Sequence, residues 1–232
     1  MAKWIKKNWI NLLVGIALCG GLCLLLYPTV SDWWNRLHQS RAIASYAQAA
    51  EGMSAEEIEA YLALAREYNK RLLEKESRFK MTEEEQKEYA ALLDITGTGI
   101  MGYIEIPAIH VSLPIYHGTD EATLQIASGH IAGSSLPVGG ENTHAAVSGH
   151  TGLPSARLFT DLDKLSEGDT FTITVLNQSL TYEVDQIRTV LPEDTSELVF
   201  VEGADYCTLQ TCTPYGINTH RLLVRGKRIE TP

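Results

Sequence analysis

The sequence lacks the signatures of several large classes of functional site. A Gly-x-Ser-x-Gly elbow for serine hydrolysis is absent, and so is a phosphate-binding glycine loop. No His-x-x-x-His or Cys-x-x-Cys pair supplies the usual spacing of zinc ligands. There is also no internal repeat and no low-complexity tract. We therefore predict no metal site, and serine-hydrolase and nucleotide chemistry have no support in the sequence.

Positive charge is scarce. The chain has 19 lysines and arginines against 29 aspartates and glutamates, for a formal net charge of −10. Lys3, Lys6 and Lys7 lie at the N-terminus, and removing their three charges from −10 leaves about −13 for the rest of the chain. A nucleic-acid-binding protein needs a basic face. This class of function is therefore excluded.

One hydrophobic run, Trp9–Tyr27, is interrupted only by the strongly polar Asn11. As a helix it would be about 28 Å long, close to the hydrocarbon thickness of a bilayer. The lysines precede it, so the positive-inside rule predicts a cytoplasmic tail at 1–8, an anchor at 9–27 in the cell membrane, and the remaining chain outside. A cleaved signal peptide is the alternative, but Tyr27–Val30 offers no small-x-small cleavage site.

Cysteine is rare too. Of four cysteines, Cys19 and Cys23 lie in the apolar run, which leaves Cys207 and Cys212 outside the membrane. Exported thiols usually form disulfides. These two fall in one predicted strand at an odd separation, so their side chains should point to opposite faces. We expect Cys207 to face the core and Cys212 to be an unpaired thiol available for chemistry.

Helical patterns occupy the region before residue 96. Ser54–Glu57 and Thr82–Glu85 are capping boxes, and apolar residues follow each at helical spacing, the first helix reaching about Glu76. We predict that 28–95 is an extracellular helical region that either forms a stalk or packs against a core. The Arg78–Lys80 break between the helices is an alternative mobile segment.

The composition changes at Thr96–Gly99 and marks a second region, 96–232. Many short β-type runs with frequent turn residues predict a mainly β fold, either a barrel or a sandwich. Asp120–Ala127 and Pro154–Leu165 are predicted to be short helical inserts. The predicted strands are Gly102–Ile106, Val111–Tyr116, Ala145–Ser148, Thr170–Val175, Leu180–Leu191, Tyr206–Cys212 and Arg221–Arg228.

Cys212 and Arg221 are predicted to be cross-strand neighbours. A loop from Thr213 to His220 between antiparallel strands would place them opposite each other, within about 5 Å at the Cβ level. A fixed positive charge there can stabilise a thiolate or a developing oxyanion. The pair indicates nucleophilic acyl chemistry at Cys212.

The residues alone do not choose the base for this chemistry. His130 and His150 both follow Ser-Gly, and most of the exported histidines must be structural or surface residues. The other candidates are His110, His117, His144 and His220.

Several separated motifs resemble the sortases, and most of all the class C, pilin-polymerising kind. Thr208–Cys212 reads Thr-Leu-Gln-Thr-Cys, Pro214–Leu222 continues the class C form, and Gly149–Ala156 resembles the segment that carries the family's catalytic histidine. The resemblance covers about residues 89–230. The further matching segments are Gly102–Pro107, Tyr116–Thr119, Gly129–His130 and Ser135–Gly140.

The resemblance implies an eight-stranded β-barrel with short helices, and a transpeptidase without a cofactor. Cys212 would cleave the Thr–Gly bond of a Leu-Pro-x-Thr-Gly-like sorting signal in a pilin subunit and form a thioester. A lysine amine of another pilin would resolve it. His150, chosen over His130, would be the acid and base or would hold the proton of an ion pair. Arg221 would orient the signal and, with backbone N–H groups, stabilise the oxyanion. The implied substrate contacts are Ser148, Thr211 and Tyr215.

The chain departs from the class C pattern in three places. No Asp-Pro-aromatic lid anchor occurs, and Phe79 in Glu76–Phe79 is the candidate lid residue instead. Thr151 stands where class C relatives often have arginine. Many class C relatives have a second membrane span at the C-terminus, and no second apolar span precedes Pro232 in this sequence. Two alternatives stay open: a sortase that joins proteins to cell-wall peptide, and a non-catalytic scaffold for pilus assembly.

Overall fold

Eight strands form one closed barrel in the computed structural model, which describes residues 2–230. The order around the barrel is β1-β2-β3-β4-β7-β8-β6-β5. The β2–β3 and β4–β7 pairs are parallel. The strands are β1 Ile100–Ile106, β2 Val111–His117, β3 Ser128–His130, β4 Thr143–Ser148, β5 Thr170–Val175, β6 Gln178–Val190, β7 Asp205–Thr213 and β8 His220–Ile229. The predicted eight-stranded barrel is confirmed.

Two parts of the predicted segments lie outside the description. The described residues exclude Met1, which belongs to the predicted tail 1–8. They also exclude Thr231 and Pro232, which belong to the predicted region 96–232. The side chains of the lysine cluster that predicted the membrane orientation are also outside it.

Strand β3 is the one strand that the hydrophobic pattern did not reveal. It has three residues, its central residue is Gly129, and the other two, Ser128 and His130, are polar although fully buried. A segment this short and polar has no alternation to detect. The other seven strands agree with the predicted ones within two residues at each end.

The barrel interior is filled by apolar residues at alternating positions along the strands. Phe171 of β5 stacks on Tyr182 of β6, with ring centroids 5.4 Å apart. Gly226 of β8 lies directly against both residues: a Cβ atom there would be 2.6 Å from the Phe171 ring and 2.8 Å from Tyr182 Cβ. Glycine at this position therefore allows β8 to close against the aromatic pair.

Helices α2, Ala55–Leu73, and α3, Glu83–Ala91, pack against the barrel. Both predicted capping boxes form at their N-termini. Their apolar faces join the barrel core, which favours packing over a free stalk. The buried hydrophobic residues on these helices and just after them are Leu62, Ala65, Tyr68, Leu72, Tyr89, Leu92 and Leu93.

The first helix, α1, runs without a break from Ala2 to Glu51 and contains Pro28. From Trp9 to Tyr27 the side chains that the structure describes are mostly exposed, and one stretch within Asn8–Glu51 is long and apolar enough to cross a membrane, with a mean hydropathy of 2.3. Its C-terminal half lies on the barrel. There Tyr46 donates a hydrogen bond to Met101 O (2.8 Å) and Gln39 to Ile126 O (2.7 Å).

The predicted helical insert at Pro154–Leu165 is wrong. This segment consists of turns and one short 3₁₀ turn, Leu162–Lys164. Its backbone polar groups find partners on α1 instead of within a helix: Asn35 donates to Ser155 O (2.7 Å). The other predicted insert, Asp120–Ala127, contains a real but shorter helix, α4, at Glu121–Leu124.

Candidate active site

A cavity of about 290 Å³ opens at one rim of the barrel, and Cys212, His150 and Arg221 all line it. The three residues come from different parts of the chain: the end of β7, the loop after β4 and the start of β8. A thiol, an imidazole and a guanidinium around one cavity can carry out acyl transfer. The other lining residues are Thr119, Leu124, Ile131, Ser148, Gly149, Pro192, Asp194, Thr195, Leu198, Gln210 and Thr211.

Cys212 and Arg221 form a cross-strand pair, as the spacing predicted. The β7–β8 ladder extends from Tyr206 and Lys227 to Thr213 and His220, and Cys212 is registered directly against Arg221. Arg221 Nη1 also donates a hydrogen bond to the carbonyl oxygen of His220, the first residue of β8, at 3.2 Å. The ladder therefore sets the position of the positive charge relative to the sulfur.

His150 is held beside β7 through its neighbour Gly149. The Gly149 N–H donates to Gln210 O (3.0 Å), and Thr211 Oγ1 donates to Gly149 O (2.7 Å). Phe159 N–H donates to His150 O at 3.1 Å. These bonds tie the loop after β4 to the strand that ends at Cys212. Thr211, expected to bind substrate, thus also fixes the loop that presents His150.

The predicted substrate contacts are not all at the cavity. Ser148 and Thr211 line it, whereas Tyr215 is outside the cavity lining and 69% exposed. The Tyr215 ring lies against Gly152, 3.0 Å from the place where a Cβ atom would be, and Gly152 has a φ of +73°. Tyr215 therefore covers the turn that follows His150.

Phe79, the candidate lid residue, lies beside Gly133 and is outside the cavity lining. Its neighbour Arg78 is buried, donates a hydrogen bond to Leu198 O, and places its guanidinium carbon 3.9 Å from the Phe200 ring centroid. Leu198 lines the cavity. Arg78 thereby attaches the α2–α3 connection to one wall of the cavity, a contact that the sequence pattern did not reveal.

The two buried histidines, His130 and His144, are structural. His130 is fully buried and contacts Tyr89 Oη and Ser135 O, both at 2.8 Å. His144 contacts Thr208 Oγ1 at 2.7 Å. Burial lowers the pKa of each imidazole to about 4. Neither lines the cavity, so the geometry favours His150 as the base, the choice that the residues alone left open.

Within the described residues, no group of three or more His, Cys, Asp or Glu side chains could hold a metal ion. The cavity lining contains one acidic residue, Asp194, besides the three candidate catalytic side chains.

Comparisons with known proteins agree with this geometry. The family model that describes the sortase domain matches residues 104–229. The chain belongs to the sortase family. Sortases are cysteine transpeptidases, and the curated relatives, also named sortases, are 30–31% identical to the chain. The chain spans 54–63% of the length of those relatives.

Solved class C sortases resemble this sortase along most of its length. Sortase C1 of Streptococcus agalactiae is 52% identical, with a TM-score of 0.79 over 83% of this chain and 100% of that one. Sortase C of Streptococcus pneumoniae, solved with a view to pilin substrate specificity, is 46% identical, with a TM-score of 0.75 over 82% and 97%. Sortase C of Clostridium perfringens, solved with a C-terminal cell wall sorting motif, is 41% identical, with a TM-score of 0.73 over 83% and 100%. The class C resemblance is confirmed.

The thiols of Cys207 and Cys212 should differ in reactivity. Cys207 is fully buried and burial raises its pKa well above the ordinary value, whereas Cys212 is half-buried at the cavity. We expect iodoacetamide to modify Cys212 at least tenfold faster than Cys207, because only the thiolate reacts. Residue-specific mass spectrometry measures both rates. Equal rates in the folded sortase would contradict the strand geometry, and equal rates in denaturant are the control.

The buried histidines should make folding stability depend on pH. His130 and His144 have pKa values of about 4 in the folded chain. Below a pH of about 6.5, these two imidazoles therefore bind protons in the unfolded chain but stay neutral in the folded chain. Their contribution is complete above pH 6.5 and is lost as the pH falls toward 4. Between these limits, we expect the free energy of unfolding to fall by up to about 2.7 kcal/mol per pH unit.

Denaturant unfolding of the full chain in detergent at several pH values tests this expectation. The His130→Gln variant should have a shallower slope than wild type, whereas His110→Gln, at an exposed turn, should keep the wild-type slope. A wild-type stability that stays flat from pH 7 to 5 would show that these rings are not held neutral.

Proposed function

We propose that this sortase is a membrane-anchored transpeptidase that joins pilin subunits through an isopeptide bond. The observation that carries the proposal is the meeting of Cys212, His150 and Arg221 around one cavity, with Cys212 and Arg221 in register across β7 and β8. The similarity to class C sortases of known structure supports the same activity.

In the first half-reaction, the Cys212 thiol gives its proton to His150, and Sγ attacks the carbonyl carbon of threonine in the Thr–Gly bond of a sorting signal. The tetrahedral intermediate collapses as His150 gives a proton to the leaving glycine amine. The product is a thioester between Cys212 and the threonine. Splitting one amide exchange into two acyl transfers is the general advantage of a covalent nucleophile.

In the second half-reaction, a lysine amine of another pilin attacks the thioester carbonyl. The amine loses a proton to His150, the C–S bond breaks, and Cys212 leaves as the thiolate. One isopeptide bond replaces one peptide bond, so no external energy source or cofactor is needed.

Arg221 has the electrostatic role in both half-reactions. Negative charge develops on the carbonyl oxygen in each tetrahedral intermediate, and a fixed cation beside the sulfur stabilises it. Arginine suits this position because it stays protonated and its planar fork can contact two oxygen atoms at once.

Two observations support a pilin sorting signal as the substrate: the similarity to class C sortases and the apolar N-terminal helix. One class C neighbour was solved with a cell wall sorting motif, and another concerns pilin specificity. The apolar half of α1 fits a membrane anchor. We propose that the N-terminus lies in the cytoplasm, because the lysine cluster precedes the span. Residues 9–27 would be the anchor, and 28–95 and 96–232 the extracellular helical and catalytic regions.

Co-expression with a pilin that carries a Leu-Pro-x-Thr-Gly signal tests the proposal. We expect a ladder of covalent pilin multimers with the wild-type sortase, and no multimers with Cys212→Ala, because no thioester can form. Cys207→Ala is the matched thiol control and should retain the ladder. A single wall-linked product would indicate a wall-anchoring sortase, and multimers made by Cys212→Ala would contradict catalysis.

Replacement of Arg221 by lysine tests the electrostatic role. We expect kcat/KM for a sorting-signal peptide to fall by about 100-fold, since a point ammonium cannot reproduce the two-point fork. Arg188→Lys, on β6 outside the cavity lining, is the matched control and should stay within twofold of wild type. Near-normal turnover of Arg221→Lys would rule out the proposed role.

A further inference from the structure

The candidate catalytic imidazole has a buried ring nitrogen, Nε2, without a hydrogen bond. Nε2 of His150 is buried and is one of three such side-chain atoms among the described residues. The Oε2 atom of Glu121 lies 3.6 Å from it. A buried polar atom without a partner is unfavourable, so this nitrogen is suited to a partner that engages fully during the reaction.

Glu121 is presented to His150 by helix α4. The helix begins after Asp120, whose side chain accepts the Thr123 N–H at 3.1 Å. Gln125, one turn further on, donates to Glu121 Oε1 at 2.5 Å. One carboxylate oxygen is therefore held within α4, and the other lies on the side of His150.

Asp194 is the acidic residue of the cavity lining, but its carboxylate is already engaged. Asp194 Oδ1 accepts the backbone N–H of Ser196 at 2.9 Å. Hydrogen bonding with the side chain and then the backbone of Ser196 keeps the pKa of Asp194 below its ordinary value. Asp194 thus stabilises the turn at Asp194–Ser196, in the wall of the cavity. Glu121 is the carboxylate that lies in salt-bridge range of His150.

We propose that Glu121 is a positioning residue for His150. Its carboxylate accepts the Nε2–H of the ring and sets the ring orientation, which leaves Nδ1 to exchange protons with Cys212 and the leaving amine. A polar third group that orients a Cys–His pair is a recurring arrangement in unrelated enzymes. The proposal rests on the proposed function, because it assigns Glu121 a role through His150.

The 3.6 Å separation suits a contact that closes on substrate binding. A hydrogen bond of about 2.9 Å requires a movement of less than 1 Å, and catalytic hydrogen bonds are often long before substrate binds. The Glu121 side chain is 74% exposed. Its influence should therefore be moderate, smaller than that of a buried carboxylate.

Steady-state cleavage of a sorting-signal peptide by the full-length sortase in detergent tests the proposal. For Glu121→Ala we expect kcat to fall about tenfold while KM stays within twofold, since the residue acts on the histidine and does not contact the peptide. For Glu121→Gln we expect a loss of only about threefold, because the amide oxygen still accepts the ring N–H. Glu183→Gln, on an exposed carboxylate of β6, is the charge control and should match wild type.

The outcomes separate this inference from the function on which it rests. A wild-type kcat in Glu121→Ala, or a change confined to KM, would overturn the positioning role. Cys212→Ala is measured in parallel. If Cys212→Ala cleaves the peptide, the proposed function is wrong; if it is inactive while Glu121→Ala is normal, only the role of Glu121 is wrong. Partial rescue by Glu121→Gln also separates positioning through a hydrogen bond from an effect of the negative charge alone, because both variants remove the same charge and only the amide keeps an acceptor.

Discussion

The backbone pairing of β7 is the constraint on which the rest of the site depends. This strand pairs in parallel with β4 and antiparallel with β8. The first pairing, extended by the bonds from Gly149 and Thr211, fixes the loop that carries His150. The second places Arg221 opposite Cys212. One strand therefore sets the positions of all three side chains, and any slip of register would separate them.

The same strand keeps the thiols of Cys207 and Cys212 in different environments. Cys207 points into the barrel, where burial holds it neutral, and Cys212 points into the cavity.

Two neighbouring elements contact the residues around the cavity. Arg78 connects the helical region to the wall at Leu198, and α4 brings Glu121 toward His150. The helices that precede the barrel are thus part of the frame of the site.

The features that local sequence predicted are those set by neighbouring residues. The Cys212–Arg221 pair follows from one hairpin, the helix starts follow from capping boxes, and the alternation along β7 separates Cys207 from Cys212. The parallel β4–β7 pairing joins distant segments, and no local pattern encodes it. Without knowledge of that pairing, the sequence pattern gave no reason to prefer His150 over His130 as the base. Only the resemblance to sortases favoured His150.

The features that were missed depend on tertiary partners. Strand β3 is short and polar, and it exists because β2 and β4 flank it. The Pro154–Leu165 segment was predicted to be helical, but α1 supplies its hydrogen-bond partners. In each case a contact distant in sequence outweighs the local preference.

The most direct test of the convergence at Cys212 is to trap the acyl-enzyme. The full-length sortase is incubated with a sorting-signal peptide and no amine acceptor, and the adduct is mapped by mass spectrometry. The account predicts one adduct, carrying the peptide up to its threonine, on Cys212, and its release by hydroxylamine as expected for a thioester. An adduct on another residue, or peptide cleavage with no adduct under any quench, would contradict it.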